Sequence, residues 1–128
     1  MKTILILSII LLTSLNAVNF QTLSLATQKN AIFEYSLGLR SKHQNVKDAF
    51  KWMHKSALKG YAPAQYEFAL MFHYGAGVRQ NFELAKLWFR RASQNGEPRA
   101  KTILYRFYAG EKVKLRDRKH RRYYSQNS

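Results

Sequence analysis

Four histidines, His43, His54, His73 and His120, and seven acidic side chains are the groups through which this 128-residue chain could do metal, acid–base or nucleophilic chemistry. Their spacing supports none of it. No histidine stands four residues from another histidine or a carboxylate, so the sequence holds no recognised helical metal motif. The carboxylates are spread along the chain without a close pair of the kind that general acid–base hydrolysis needs. Nothing marks a nucleophile elbow or a triad around the serines. Cysteine is absent, which removes thiol nucleophiles, thiolate metal sites and disulfides. The turn Gly75-Ala76-Gly77 lacks the Gly-Lys-Ser/Thr ending of a phosphate loop, and no strand pattern precedes it. The expectation is a chain without catalytic residues, metal or cofactor.

Charge offers a different chemistry. The formal net charge is +15, with a pI near 10.3, which favours anionic partners. Lys47, Lys51, Lys55 and Lys59 recur every four residues and so form one ladder along a helix. The C-terminal stretch sets Lys112, Lys114, Arg116, Arg118, Lys119, Arg121 and Arg122 against Glu111 and Asp117. Its Arg-Arg-Tyr-Tyr sequence could grip phosphate and stack on bases. The ladder together with Arg118, Lys119, Arg121 and Arg122 is the candidate surface for an anionic envelope polymer, a membrane or nucleic acid. The same residues also read as a solvated face.

The first residues bear on that choice. Lys2 supplies a positive start, residues 4–12 are apolar apart from Ser8, and Ala17 is a small residue suited to cleavage after it. The segment reads as an export signal over 1–17, with a membrane anchor as the alternative. The apolar run is shorter than the ~20 residues that span a bilayer. An export signal points away from a nuclear role, and it favours an anionic envelope surface over nucleic acid as the counter-ion.

The elements that would position these residues follow from a period. Asn45/Asn81, Ala49/Ala85, Trp52/Trp88, Gly60/Gly96 and Ala64/Ala100 are identical pairs at one offset of 36 residues. A fixed period of this size marks a stacked repeat. Asn45 and Asn81 are helix N-caps, and Gly60 and Gly96 suit the left-handed residue that ends a helix. Ala49, Trp52, Met53 and Ala57 recur at three- and four-residue spacing, as do Ala85, Trp88, Phe89 and Ala92. Both tryptophans are therefore expected in the core. Ala64, Phe68, Met71 and Phe72 make the stripe of an intervening helix, closed by the glycine turn at Gly75. The period predicts helices near 31–40, 46–59, 63–73, 82–95 and 98–109, without a sheet.

These residues carry a resemblance. Ala64-Gln65-Tyr66, Leu70, Phe72, Gly75-Ala76-Gly77-Val78, Asn81, Ala85, Trp88, Ala92 and Gly96 resemble the Sel1-like repeat, a variant of the tetratricopeptide helix pair. The resemblance covers 31–113 and is clearest over 64–96. It implies an all-α solenoid of antiparallel helix pairs, roughly two and a half copies, that binds another protein as an adaptor and has no enzymatic activity. On such a fold the first helix of each pair would line the concave surface. Glu34, Arg40, Glu67, His73 and Arg106 lie opposite the core stripes and are the expected partner contacts. Residues 18–30 would cover the open end of the first repeat, and 114–128 would form a basic tail. Without such covers, self-association is expected.

Overall fold

A computed structural model of the chain describes residues 2–109. They form five helices: α1 (Lys2–Ser41), α2 (Val46–Leu58), α3 (Ala62–Tyr74), α4 (Phe82–Gln94) and α5 (Pro98–Tyr108). No strand occurs among the described residues. Each helix packs chiefly against its neighbours in chain order. This is the stacking that a repeat of helix pairs requires, and the all-α solenoid follows from it.

The helix ends are set by the expected residues. Asn45 stands in extended backbone, and its side chain accepts hydrogen bonds from the amides of Lys47 and Asp48. Asn81 accepts from the Leu84 amide at 3.0 Å. Pro63 and Pro98 lie in the first turns of α3 and α5, where a missing N–H costs nothing. Gly77 is required twice over. Its φ is +70°, and a Cβ there would sit 2.7 Å from the Val46 carbonyl oxygen. The turn after α3 therefore rests on the start of α2.

The core is built from alanines that let helices approach and a few large side chains that fill the gaps. Ala49, Met53, Ala57, Ala64, Met71, Ala85, Phe89 and Ala92 are buried almost completely. Fully burying a side chain the size of Phe89 or Met53 contributes about 1.5–3 kcal/mol. Phe68 joins the layers, edge-on to Trp88 at 5.0 Å and tilted against Phe50 at 4.9 Å. In α1, Gly38 leaves room for Met53, whose methyl would lie 2.9 Å from an added Cβ.

Two expectations need correction. The first helix does not start near residue 31. One helix runs without a break from Lys2 through the signal-like segment into the first repeat. The physical reason is that the first glycine is Gly38 and the first proline is Pro63, so nothing interrupts helix propagation. Residues 21–30 continue this helix and are all exposed. The second correction is Trp52. Trp88 is buried, but Trp52 is only half-buried. Phe68 supports the Trp88 indole. The residue in the matching place on α1, Tyr35, instead turns its ring edge-on to Tyr61 at 5.2 Å. The basic segment 114–128, with Arg118, Lys119, Arg121 and Arg122, lies outside the described residues.

Candidate functional site

The first helices of successive pairs, α1, α3 and α5, meet through one polar and aromatic cluster. Glu97 starts it. It is the N-cap of α5, and its carboxylate accepts from the Arg99 amide at 3.2 Å. The same carboxylate takes both sides of the Arg99 guanidinium, from Nε at 2.7 Å and from Nη2 at 2.9 Å. These bonds hold the Glu97 carboxyl below the usual carboxylate range, against an upward push from burial. Arg99 is fixed as a flat plate 4.3 Å over the Tyr66 ring. Its Nη1 stands 3.9 Å from Glu67, which also pairs with Lys42 at the end of α1. Tyr35 and Tyr61 border the cluster. Burial, then the Glu67 charge, raises the Tyr35 hydroxyl, and Arg99 partly opposes this. Burial also raises Tyr66. The arrangement joins three helices with compensated charges. It presents half-buried tyrosines and a half-exposed arginine in fixed rotamers.

This geometry revises the expected contact residues. Glu67 and His73 are not on an open face. α3 is packed by α2 on one side and α4 on the other, so it is buried nearly all round. Glu67 is held inside its pairs with Lys42 and Arg99. His73 is 1% exposed and ringed by Tyr74, Phe82, Phe89, Phe107 and Tyr108. Its Nδ1 is 2.6 Å from the Tyr108 hydroxyl, and burial lowers its pKa to about 4. It locks α5 to α3. Glu34 is largely covered and accepts from Lys59 Nζ at 2.6 Å, while its Oε2 is buried without a hydrogen-bond partner. Arg40 and Arg106 are exposed. Tyr35, Tyr66 and Arg99 were missed. Tyr66 falls within the repeat pattern, but only its contact with Arg99 distinguishes it.

The lysine ladder on α2 is exposed throughout. It is not uniformly free. Lys51 reaches Asp48 at 3.2 Å, Lys59 reaches Glu34, and Lys55 stands 4.4 Å over the Trp52 ring. Arg91 repeats that last contact over Trp88 at 4.5 Å. No cluster of three metal-ligating side chains occurs among the described residues. Among them, too, no helix is long and apolar enough to cross a membrane.

A family model for the Sel1 repeat matches residues 26–61 and 62–97. Those limits place the end of α1 with α2 in one copy and α3 with α4 in the next. Among curated proteins, chitin synthase regulatory factor 3 of Schizosaccharomyces pombe is 41% identical over 61 residues, which is 48% of this chain and 6% of that protein. The ERAD-associated E3 ubiquitin-protein ligase component HRD3A of Arabidopsis thaliana is 33% identical over 72 residues, 56% of this chain and 11% of that protein. The chain thus matches only a small part of each relative's length. No solved structure matches it. Sel1 repeats generally mediate protein–protein interaction, and the family is typically a non-catalytic scaffold. With matched copies over more than half of its length, the chain belongs to the Sel1-repeat family.

Proposed function

We propose that this chain is a non-enzymatic adaptor that binds another protein on the surface lined by α1, α3 and α5. The observation that carries the reading is the platform of Tyr35, Tyr66 and Arg99. Tyrosine and arginine dominate binding hot spots, and side chains already fixed in place lose little entropy on binding. Glu97 and Glu67 hold Arg99, so the platform needs no rearrangement to receive a partner. Arg40 and Arg106 are further exposed cations on α1 and α5. The test is capture of partners by the full chain at low and high salt, beside Tyr66→Ala and Arg99→Ala. Salt-tolerant capture lost in both variants supports the reading. Capture unchanged in both variants refutes it.

The N-terminal segment supports export as part of this role, with cleavage after Ala17 giving a mature chain that begins at Val18. Mass measurement of the protein from extracytoplasmic fractions checks this. An intact chain in the membrane fraction would favour the anchor instead.

A second reading has its own observation. Lys47, Lys51 and Lys55 are exposed beside the half-buried Trp52, which gives α2 a basic and aromatic outer face. This face, with the basic C-terminal segment, fits an anionic surface. Binding of this kind falls steeply with salt and is lost when Lys47, Lys51 and Lys55 become glutamine.

A further inference from the structure

Arg99 has one surface that the fold does not use. Its Nε and Nη2 donate to Glu97, its Nη1 stands 3.9 Å from Glu67, and one face of its guanidinium lies on the Tyr66 ring. The edges of the guanidinium are thus turned to partners within the fold. The side chain is nonetheless 51% exposed, and among the described residues no second ring is stacked on it. What it offers to solvent is the outer face of a flat, delocalised cation held at a set angle. In this state it is poorly placed to grip an anion through paired N–H groups, because Glu97 already holds such a pair. It is well placed to receive a flat π system, with the Tyr66 ring as the layer beneath.

The charges around this face are sorted by depth. The carboxylates of α1, α3 and the start of α5 are Glu34, Glu67 and Glu97, whose side chains are 14%, 10% and 7% exposed, each held by a lysine or an arginine. The cations Arg40, Lys101 and Arg106 stand exposed on α1 and α5. Solvent therefore meets positive charge on these helices, although acids are present in them. Arg106 follows Arg99 by seven residues, two turns of α5, so both lie on one face of it about 10 Å apart. Ile103, half-buried, lies between them along that face.

We propose that this face of α5 binds an acidic segment of another protein, with an aromatic side chain laid on the outer face of Arg99 and a carboxylate set against Arg106. The inference rests on the adaptor reading and names the chemistry of the partner. An extended chain rises about 3.3 Å per residue, so the carboxylate is expected three residues from the ring. Arg106 makes no ion pair among the described residues and is open to one. A second copy of this chain is a poor source of such a segment. Its only phenylalanine, tyrosine or tryptophan three residues from an acid is Tyr108, before Glu111, and Tyr108 is held against His73.

The probes are the peptide Gly-Asp-Ser-Gly-Trp-Gly-Ser-Asp-Gly, with a carboxylate three residues to each side of the ring, and the same peptide with alanine for tryptophan. The full chain, isotopically labelled for nuclear magnetic resonance, is titrated with each. The tryptophan peptide should move the Arg99 Nε–H signal upfield by its ring current in a saturable way, and the alanine peptide should not. Arg99→Lys, which keeps the charge and loses the plane, should abolish the preference for tryptophan. Arg106→Gln should raise the dissociation constant at least about threefold, and Arg106→Lys should restore it, since only charge is required there. Arg106 is exposed, so its variants test the proposal even if Arg99→Lys disturbs the fold. An Arg99 signal that does not move, equal binding of the two peptides, or binding indifferent to Arg106→Gln overturns the proposal. So does an oligothymidylate that moves the same signal and displaces the peptide, since nucleic acid would then be the occupant. Partner capture that depends on Tyr66 and Arg99 without any response to the peptide overturns this inference alone and leaves the adaptor reading standing.

Discussion

The two copies of the repeat share caps, tryptophan and terminal glycine, but they solve the burial problem differently. In the second copy, α3 lies between α2 and α4, and its helix is covered on nearly every side. In the first, α1 packs chiefly against α2, and Ile32 and Leu39 on another side of it are exposed. The same residue therefore ends in two environments: Trp88 is sealed over Phe68, and Trp52 is half-exposed under Lys55. Position in the stack, rather than residue type, decides what a side chain does.

The sharpest way to break this comparison is to truncate both tryptophans. Trp88→Ala should cost about 3–5 kcal/mol, as large-to-small changes in a closed core do. Trp52→Ala should cost less than about half of that, because part of its surface is already in water. Urea unfolding of both variants measures the difference, and equal losses would show that the two copies are packed alike.

Acid should single out the second copy next. His73 is buried as the neutral ring, with a pKa of about 4 against 6.5 unperturbed. The groups around it are the hydroxyls of Tyr74 and Tyr108, with Glu83 near the latter. Its folded pKa is depressed, so the unfolded chain binds the extra proton first. The stability contributed by the neutral ring is complete above pH ~6.5 and is lost as pH falls toward 4, by roughly 3 kcal/mol in all. His73→Gln should flatten that part of the pH–stability curve. An unchanged slope would mean that the ring is solvated.

The turns give a finer contrast. Gly77→Ala meets both an unfavourable positive φ and the Val46 carbonyl, and should destabilise by about 2–3 kcal/mol. Gly60→Ala meets only the φ penalty, since nothing lies within 4 Å of the added Cβ, and should cost about 1 kcal/mol. Melting temperatures in that order support the contact between the glycine turn and α2. The smallest effect is expected at Lys51→Ala, whose partner Asp48 is well exposed. A loss below about 0.5 kcal/mol is expected by chemical denaturation, and a larger one would show that the pair is structural.

Most of the fold was legible because its signals are local and periodic. The caps Asn45 and Asn81, the glycines and the alanine spacing place α2 to α5 within a few residues of where they lie. The length of α1 was not legible. An export signal suggests a break before the repeat, yet no glycine or proline enforces one. Glu67 and His73 were misplaced because an amphipathic stripe reveals one buried face only. A helix flanked on two sides buries polar residues as well, and their partners, Lys42, Arg99 and Tyr108, come from distant turns. The platform was hidden for the same reason. Arg99 looks like any surface arginine until Glu97 and Tyr66 are seen to fix its plane.

Because each helix leans chiefly on its neighbours in chain order, few contacts must form between remote parts of the chain. Such a stack folds quickly, and it also comes apart from its ends. Ala100 is the only fully covered residue of α5, which is otherwise clasped by the His73–Tyr108 bond and the Glu97–Arg99 plate. Amide protons in α5 should therefore exchange with solvent well before those of α3. Under tension the last helix should peel away while the pair before it stays intact.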